Sequence, residues 1–143
     1  MKKETWNSYR SLELNILPTR EEMGKVDAGD VAEGRQWVIE EKGKVNVVFA
    51  AAPSQNEFLA HLRKDRRINW ARVTCFHLDD YADLPRNHPN TFEVYLNEHL
   101  FNFVRPRKIY FFNALKGNPP QIAEQYTQAI KRSGGIDISC IGI

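Results

Sequence analysis

A chain of 143 residues fits one domain, since domains usually run to roughly 100–200 residues. Hydrophobic residues make up 42% and charged residues 27%, which is enough apolar material for a core and too much for a disordered chain. The 20 basic and 18 acidic side chains leave a net charge of +2, far from the basic excess of a nucleic-acid binder.

No apolar stretch approaches the roughly 20 residues of a membrane span. Lys2 and Lys3 are not followed by the apolar run of a secretory signal. The expectation is a soluble, cytoplasmic protein without nucleic-acid or membrane partners. Cys75 and Cys140 lie in apolar, strand-like runs with neither a metal-ligand spacing nor a disulfide framework. They read as buried free thiols in a reducing compartment.

In chain order, residues 12–17 place Leu12, Leu14 and Ile16 in alternation before Pro18, which predicts a strand. Thr19-Arg20-Glu21-Glu22 has the form of a capping box and predicts a helix running towards Lys42. Met23, Val26, Val31 and Val38 are its inward candidates, and Gly43 is its stop. Gly24, Gly29 and Gly34 weaken that helix by up to about 1 kcal/mol each where they are exposed.

Residues 45–50 (VNVVFA) form a short, β-branched run expected of a strand covered on both faces. Ser54-Gln55-Asn56-Glu57 repeats the capping-box pattern ahead of Phe58, Leu59 and Leu62. The basic run Arg63-Lys64-Asp65-Arg66-Arg67 is interrupted by an acid and reads as a solvated helix end, with a phosphate contact as the lesser alternative. Residues 73–78 are the third strand, followed by a polar loop over 82–90. Asn90 or Thr91 caps a helix carrying Phe92, Tyr95, Leu96 and Leu100. Residues 108–112 are the fourth strand, and Gly117-Asn118-Pro119-Pro120 is a turn. Ile122, Ala123, Tyr126, Ala129 and Ile130 make a helical stripe that ends at Gly134-Gly135, and residues 136–141 are the fifth strand.

This alternation predicts an α/β fold, an open and mostly parallel sheet with helices on both faces, Rossmann-like in class. The sequence stops on its last strand, so residues 1–143 are expected to be the N-terminal portion of a single domain truncated after the fifth strand. Ligands of such sheets sit beyond the carboxyl ends of the strands.

Two strand ends carry candidate chemistry. After Ala50, the small residues Ala51-Ala52-Pro53-Ser54 lead into a helix whose N-terminus favours an anion such as a sugar phosphate. Capping by Ser54 and tight packing of the alanines explain the same residues without a ligand. After Leu78 comes Asp79-Asp80-Tyr81. Neighbouring side chains on extended backbone point opposite ways, so one acid is expected to face the crevice while the other caps or pairs. A partly desolvated carboxylate beside another acid suits a general base. The alternative is a loop-capping Asp followed by a solvated one. His77 reads as a satisfied, half-buried histidine, with ligand contact as the alternative. His88 lies in the loop as a solvated or lid residue, and His61 and His99 fall on helices without assigned chemistry. No zinc spacing, P-loop, nucleophile elbow or dinucleotide glycine fingerprint is present, and no cofactor or metal is expected.

The run Val73 to Tyr81 (VTCFHLDDY), with Leu84-Pro85 and His88-Pro89 after it, resembles the glucosamine-6-phosphate deaminase/isomerase family. That family has a strand ending in Leu or Met, then Asp-Glu-Tyr, then a loop with Leu-Pro and His-Pro. Gly117-Asn118, Tyr126 and the last strand match in order and spacing. The resemblance implies an open-chain amino-sugar phosphate as substrate, C2 proton abstraction, an enediol-type intermediate, and aldose-to-ketose conversion with release of ammonia. It places the base on Asp79, with Asp80 as a supporting residue, and substrate contacts on Ala51, Ala52, Ser54 and Gln55. A homo-oligomer is compatible with it.

Two departures stand out. The family's phosphate loop, Gly-Ser/Gly-Thr-Pro, is replaced by Ala51-Ala52-Pro53-Ser54. Its Gly-x-Asp-Gly-His motif would follow Ile143, so the 143 residues alone are expected to be inactive. A non-catalytic sugar-phosphate-binding regulatory domain is the second expectation, and a sugar-phosphate lactonase on the related fold is the third.

Overall fold

The computed structural model describes residues 3, 4 and 13–142. Leu12 of the predicted first strand lies outside them, as does Ile143. Strand β1 (Lys3–Glu4) pairs antiparallel with β2 (Leu14–Asn15) in a small ribbon separate from the main sheet. The first predicted strand is therefore not a member of the parallel sheet. Its alternating apolar pattern suits a half-covered antiparallel strand, whereas strands buried on both faces read as continuous apolar runs. Leu14 and Ile16 are nevertheless exposed.

Helix α1 (Arg20–Lys42) starts where the capping box predicts: the Glu22 N–H donates to the Thr19 hydroxyl at 3.2 Å. It ends at Gly43, whose φ of 73° suits a residue without a Cβ. Strand β3 (Val45–Phe49) follows. A 3-10 turn over Pro53–Gln55 leads into α2 (Asn56–Leu62). Strand β4 (Val73–His77) precedes α3 (Phe92–Leu96), which continues as a π-helical turn over Asn97–Phe101. Strand β5 (Lys108–Tyr110), helix α4 (Pro119–Ser133) and strand β6 (Ile138–Cys140) complete the chain.

Four strands make the main sheet, in the order β5-β4-β3-β6, all parallel. β3 and β4 are buried along their whole length, the polar Asn46, Thr74 and His77 included. On one face Val45, Val47, Phe49, Val73 and Cys75 pack against α1, α2 and the α3 region. On the other, Val48 and Phe76 pack against Tyr126 and Ala129 of α4. Cys75 and Cys140 are buried free thiols, as expected.

The inward face of α1 differs from the expectation. Gly24, Ala28, Ala32, Arg35 and Val38 are buried, whereas Met23 is exposed and Val26 and Val31 are half-buried. Small residues at fourfold spacing let α1 lie close against α2. A Cβ on Gly24 would sit 2.7 Å from the Glu57 backbone carbon and 2.7 Å from the Phe58 nitrogen. Gly24→Ala is therefore expected to destabilise the protein by about 2 kcal/mol, because overpacking outweighs the helix-propensity gain of about 1 kcal/mol. Urea denaturation measures this, and an unchanged midpoint would mean that α1 moves away from α2 at no cost.

Candidate active site at the carboxyl ends of the strands

The ends of β6, β3 and β4 are joined edge to edge. The Ala50 N–H donates to the Cys140 carbonyl at 2.8 Å, and the Leu78 N–H donates to the Phe49 carbonyl at 2.9 Å. The reversal of strand order falls between β3 and β6, a common position for ligand crevices in open α/β sheets. Both candidate segments, 51–55 and 79–80, thus leave the same edge of the sheet on neighbouring strands.

The two adjacent acids have different environments. Asp79 is exposed and makes no hydrogen bond or ion pair among the described residues. It lines a cavity of about 290 Å3 with Leu78, Tyr81, Phe112, Asn113 and the start of α4 at Pro119 and Ile122. The Asp80 side chain is 1% exposed. Its Oδ1 accepts from the Tyr81 N–H at 2.9 Å and the Phe92 N–H at 3.0 Å, and its Oδ2 accepts from the Glu93 N–H at 3.1 Å and Asn113 Nδ2 at 3.0 Å. Asp80 therefore closes the loop over 81–91 onto the first turn of α3, where the unpaired N–H groups of a helix start need acceptors. Thr91 caps the same turn by accepting from the Val94 N–H at 3.3 Å. Arg86 reinforces the loop by pairing with Glu93 at 2.9 Å. The desolvated acid at this strand end is Asp80, and Asp79 stands in solvent at the cavity.

His77 lies beneath this pair, and it is fully buried rather than half-buried. The Phe112 N–H donates to its Nε2 at 2.9 Å, so the neutral ring carries its proton on Nδ1. Nδ1 sits 3.9 Å from Asp80 Oδ2 without a hydrogen-bond partner. The Tyr126 hydroxyl accepts from the His77 N–H at 2.9 Å and lies 3.0 Å from the His77 carbonyl and 3.1 Å from that of Tyr110. It bridges β4 and β5 where their ladder ends. His77 is thus a structural residue, outside the cavity lining.

Burial pulls the His77 pKa down to about 4 from 6.5, against a smaller upward pull from Asp80. The ring stays neutral in the folded protein while the unfolded chain takes up a proton. Stability should be full above pH 6.5, fall as pH drops towards 4, and level off below it, with up to about 3 kcal/mol lost. Denaturation at stepped pH tests this, and His77→Gln should flatten the slope in that window. An equal slope in the variant would place the titration on another group.

The segment 51–55 departs from expectation. Ser54 does not cap α2: Pro53 takes the first position of a 3-10 turn, Ser54 falls inside the turn, and Gln55 precedes α2 without a side-chain cap. A hydroxyl inside a turn is not placed to receive the N–H groups ahead of it. Ala51 is buried, and the Ala52 carbonyl lies 2.6 Å from the Tyr95 hydroxyl. None of Ala51, Ala52, Ser54 and Gln55 lines the Asp79 cavity. Gln55 borders a separate cavity of about 250 Å3 with Asp27, Asp30, Ser139 and Ile141. Gly142 crosses close over Ser54 and Gln55, where a Cβ would lie 2.7 Å from Ser54 Oγ. Asp27, which the sequence did not single out, has its carboxyl held above the usual range by burial and by Asp30.

The remaining histidines have structural contacts: His61 pairs with Glu21 at 2.7 Å, His99 stacks on Tyr95, and His88 Nδ1 accepts from the Asn90 N–H. Asn113 is the site residue that sequence reasoning missed. It lines the Asp79 cavity and orients Asp80 at once. A polar residue just past a strand's carboxyl end was the available signal. Among the described residues no group of His, Cys, Asp and Glu is placed to hold a metal ion, and no helix is long and apolar enough to cross a membrane.

No family model matches the chain. It is 33% identical over 87 residues to glucosamine-6-phosphate deaminase 1 of Giardia intestinalis, covering 59% of this chain and 33% of that protein. It is 26% identical over 135 residues to glucosamine-6-phosphate deaminase of Clostridium botulinum strain Langeland, covering 92% and 54%. Among solved structures it resembles a monomeric glucosamine-6-phosphate deaminase described as a missing link of the NagB superfamily, with a TM-score of 0.72 and 21% identity over 86% of this chain and 52% of that one. It also resembles 6-phosphogluconolactonase from Thermotoga maritima, with a TM-score of 0.69 and 19% identity over 81% and 53%. The chain spans between a third and about half of the length of these proteins. The α/β fold is the one these solved proteins carry, and the similarity in sequence runs to glucosamine-6-phosphate deaminases.

Proposed function

We propose that this chain, similar in sequence to glucosamine-6-phosphate deaminases, is the N-terminal portion of one domain that acts on an open-chain amino-sugar phosphate. Asp79 takes the proton from C2, and the electrons of that C–H bond form a C1–C2 double bond. The π pair of the C1 carbonyl moves onto its oxygen, which takes up a proton. Protonation at C1, driven by the nitrogen lone pair, gives the C2 iminium, which water hydrolyses to the ketose and ammonia with release of a proton. Asp80, which also borders the cavity, acts by positioning, since its carboxylate is held by three backbone N–H groups and the Asn113 amide. The observation that carries this reading is the contrast at one strand end: a free carboxylate on the cavity beside a buried one that fixes the loop.

A second reading, a sugar-phosphate-binding regulatory domain without catalysis, is favoured by the separation of Ser54 and Gln55 from the Asp79 cavity. Exchange of solvent deuterium into C2 of glucosamine 6-phosphate, followed by NMR on the full gene product, separates the two. Exchange is expected, and saturable binding with neither exchange nor turnover would replace the first reading by the second. The 143 residues alone are expected to release no ammonia, and release above background would overturn that expectation.

A further inference from the structure

The cavity at Asp79 leaves unused a buried cation, Arg35. Arg35, in the C-terminal half of α1, is 2% exposed, and its Nε–H has no hydrogen-bond partner among the described residues. Its Nη2 reaches only the Ala32 carbonyl at 3.4 Å, a long and weak bond. A guanidinium buried without a counter-charge is costly, because its hydration is lost and nothing replaces it. Burial lowers its pKa, the nearby Asp65 opposes this, and the charge of Arg67 adds to the lowering. Asp65 is itself taken by Arg67, which grips it through Nε at 3.0 Å and Nη2 at 2.6 Å.

A pocket of about 440 Å3 opens at this point. Arg35, Arg67 and Asn69 line it, with Gln36, Ile39 and Glu40 of α1. Its elements lead into the amino ends of β3 and β4, and it shares no residue with the Asp79 cavity. We propose that this pocket binds a small oxyanion of the phosphate class, free phosphate or a phosphate monoester, with Arg35 and Arg67 as cationic ligands and Asn69 as a polar one. The guanidinium fork suits such an anion, since it offers several donors in one plane. The anion supplies Arg35 with a counter-charge in direct contact, which no described residue gives it. Glu40, whose carboxylate accepts from Gln36 Nε2 at 3.3 Å, opposes the anion and keeps its binding weak.

The test is a titration with inorganic phosphate against chloride at matched ionic strength, following the arginine Nε–H resonances by NMR. The Arg35 resonance is expected to shift saturably with phosphate only. Arg67→Gln should weaken binding by about tenfold, as loss of a charge-assisted contact does. Glu40→Gln should tighten it by about threefold through removal of a like charge. Arg35→Met should abolish it, and if that variant does not fold the exposed Arg67 variant decides alone. Tighter binding of glycerol phosphate than of inorganic phosphate would assign the site to a monoester, and equal binding would assign it to free phosphate. An identical response to chloride, no saturation by ~20 mM, or full binding by Arg67→Gln would overturn the proposal. Shifts confined to the backbone amides of residues 51–56 would also overturn it, while leaving the reading of the Asp79 site intact.

Discussion

Asp79→Asn is expected to lower deuterium exchange at C2 by about 10³-fold or more, within the range that loss of a positioned general base produces. Asparagine keeps the size and polarity of the side chain but cannot take up the proton. Asp79 is exposed and has no partner among the described residues, so stability should change by less than about 0.5 kcal/mol. Binding of the sugar phosphate should persist as well. Exchange, denaturation and binding, measured on one variant, therefore give a loss, no change and no change. Retention of exchange would remove Asp79 from the base's role, whatever the substrate.

Asp80→Ala should do the reverse in kind. Its carboxylate accepts three backbone N–H groups and the Asn113 amide while 1% exposed. Truncation leaves these donors facing a void, and the expected loss of stability is about 4 kcal/mol. The loop over 81–91 and the first turn of α3 should become labile together, which hydrogen exchange at Phe92 and Glu93 would report. Asp80→Asn should lose less, because its carbonyl oxygen keeps part of the acceptance. If Asp80→Ala left both the midpoint and those amides unchanged, the loop would be held by Arg86–Glu93 and Thr91 without it.

Much of the fold was legible because its signals are local. Thr19 and Thr91 cap helices through a hydroxyl that reaches only three residues ahead, and Gly43 and Gly134 end helices through their own backbone geometry, whereas Asn118, read as part of a turn, caps α4. The short, β-branched run at 45–50 announced a strand buried on both faces, as β3 is. Two expectations failed where the outcome depended on distant partners, and a third failed on a neighbour in the chain. Alternation over 12–17 could not tell a separate ribbon from a sheet member. The inward face of α1 was set by how near α2 approaches, which favours Gly24, Ala28 and Ala32 over the larger Met23. Ser54 lost its capping role to the turn that Pro53 starts one residue earlier.

The acidic pair shows the same division. Sequence by itself determined that two carboxylates stand at the end of a buried strand, on the edge where such sheets bind ligands, and that neighbours on extended backbone point apart. Only the tertiary structure decided which acid is buried and bonded, because that depends on groups 12 to 33 residues away in the chain: the N–H groups of α3 and the amide of Asn113. Those donors hold Asp80, and Asp79, without a partner among the described residues, stands exposed at the cavity.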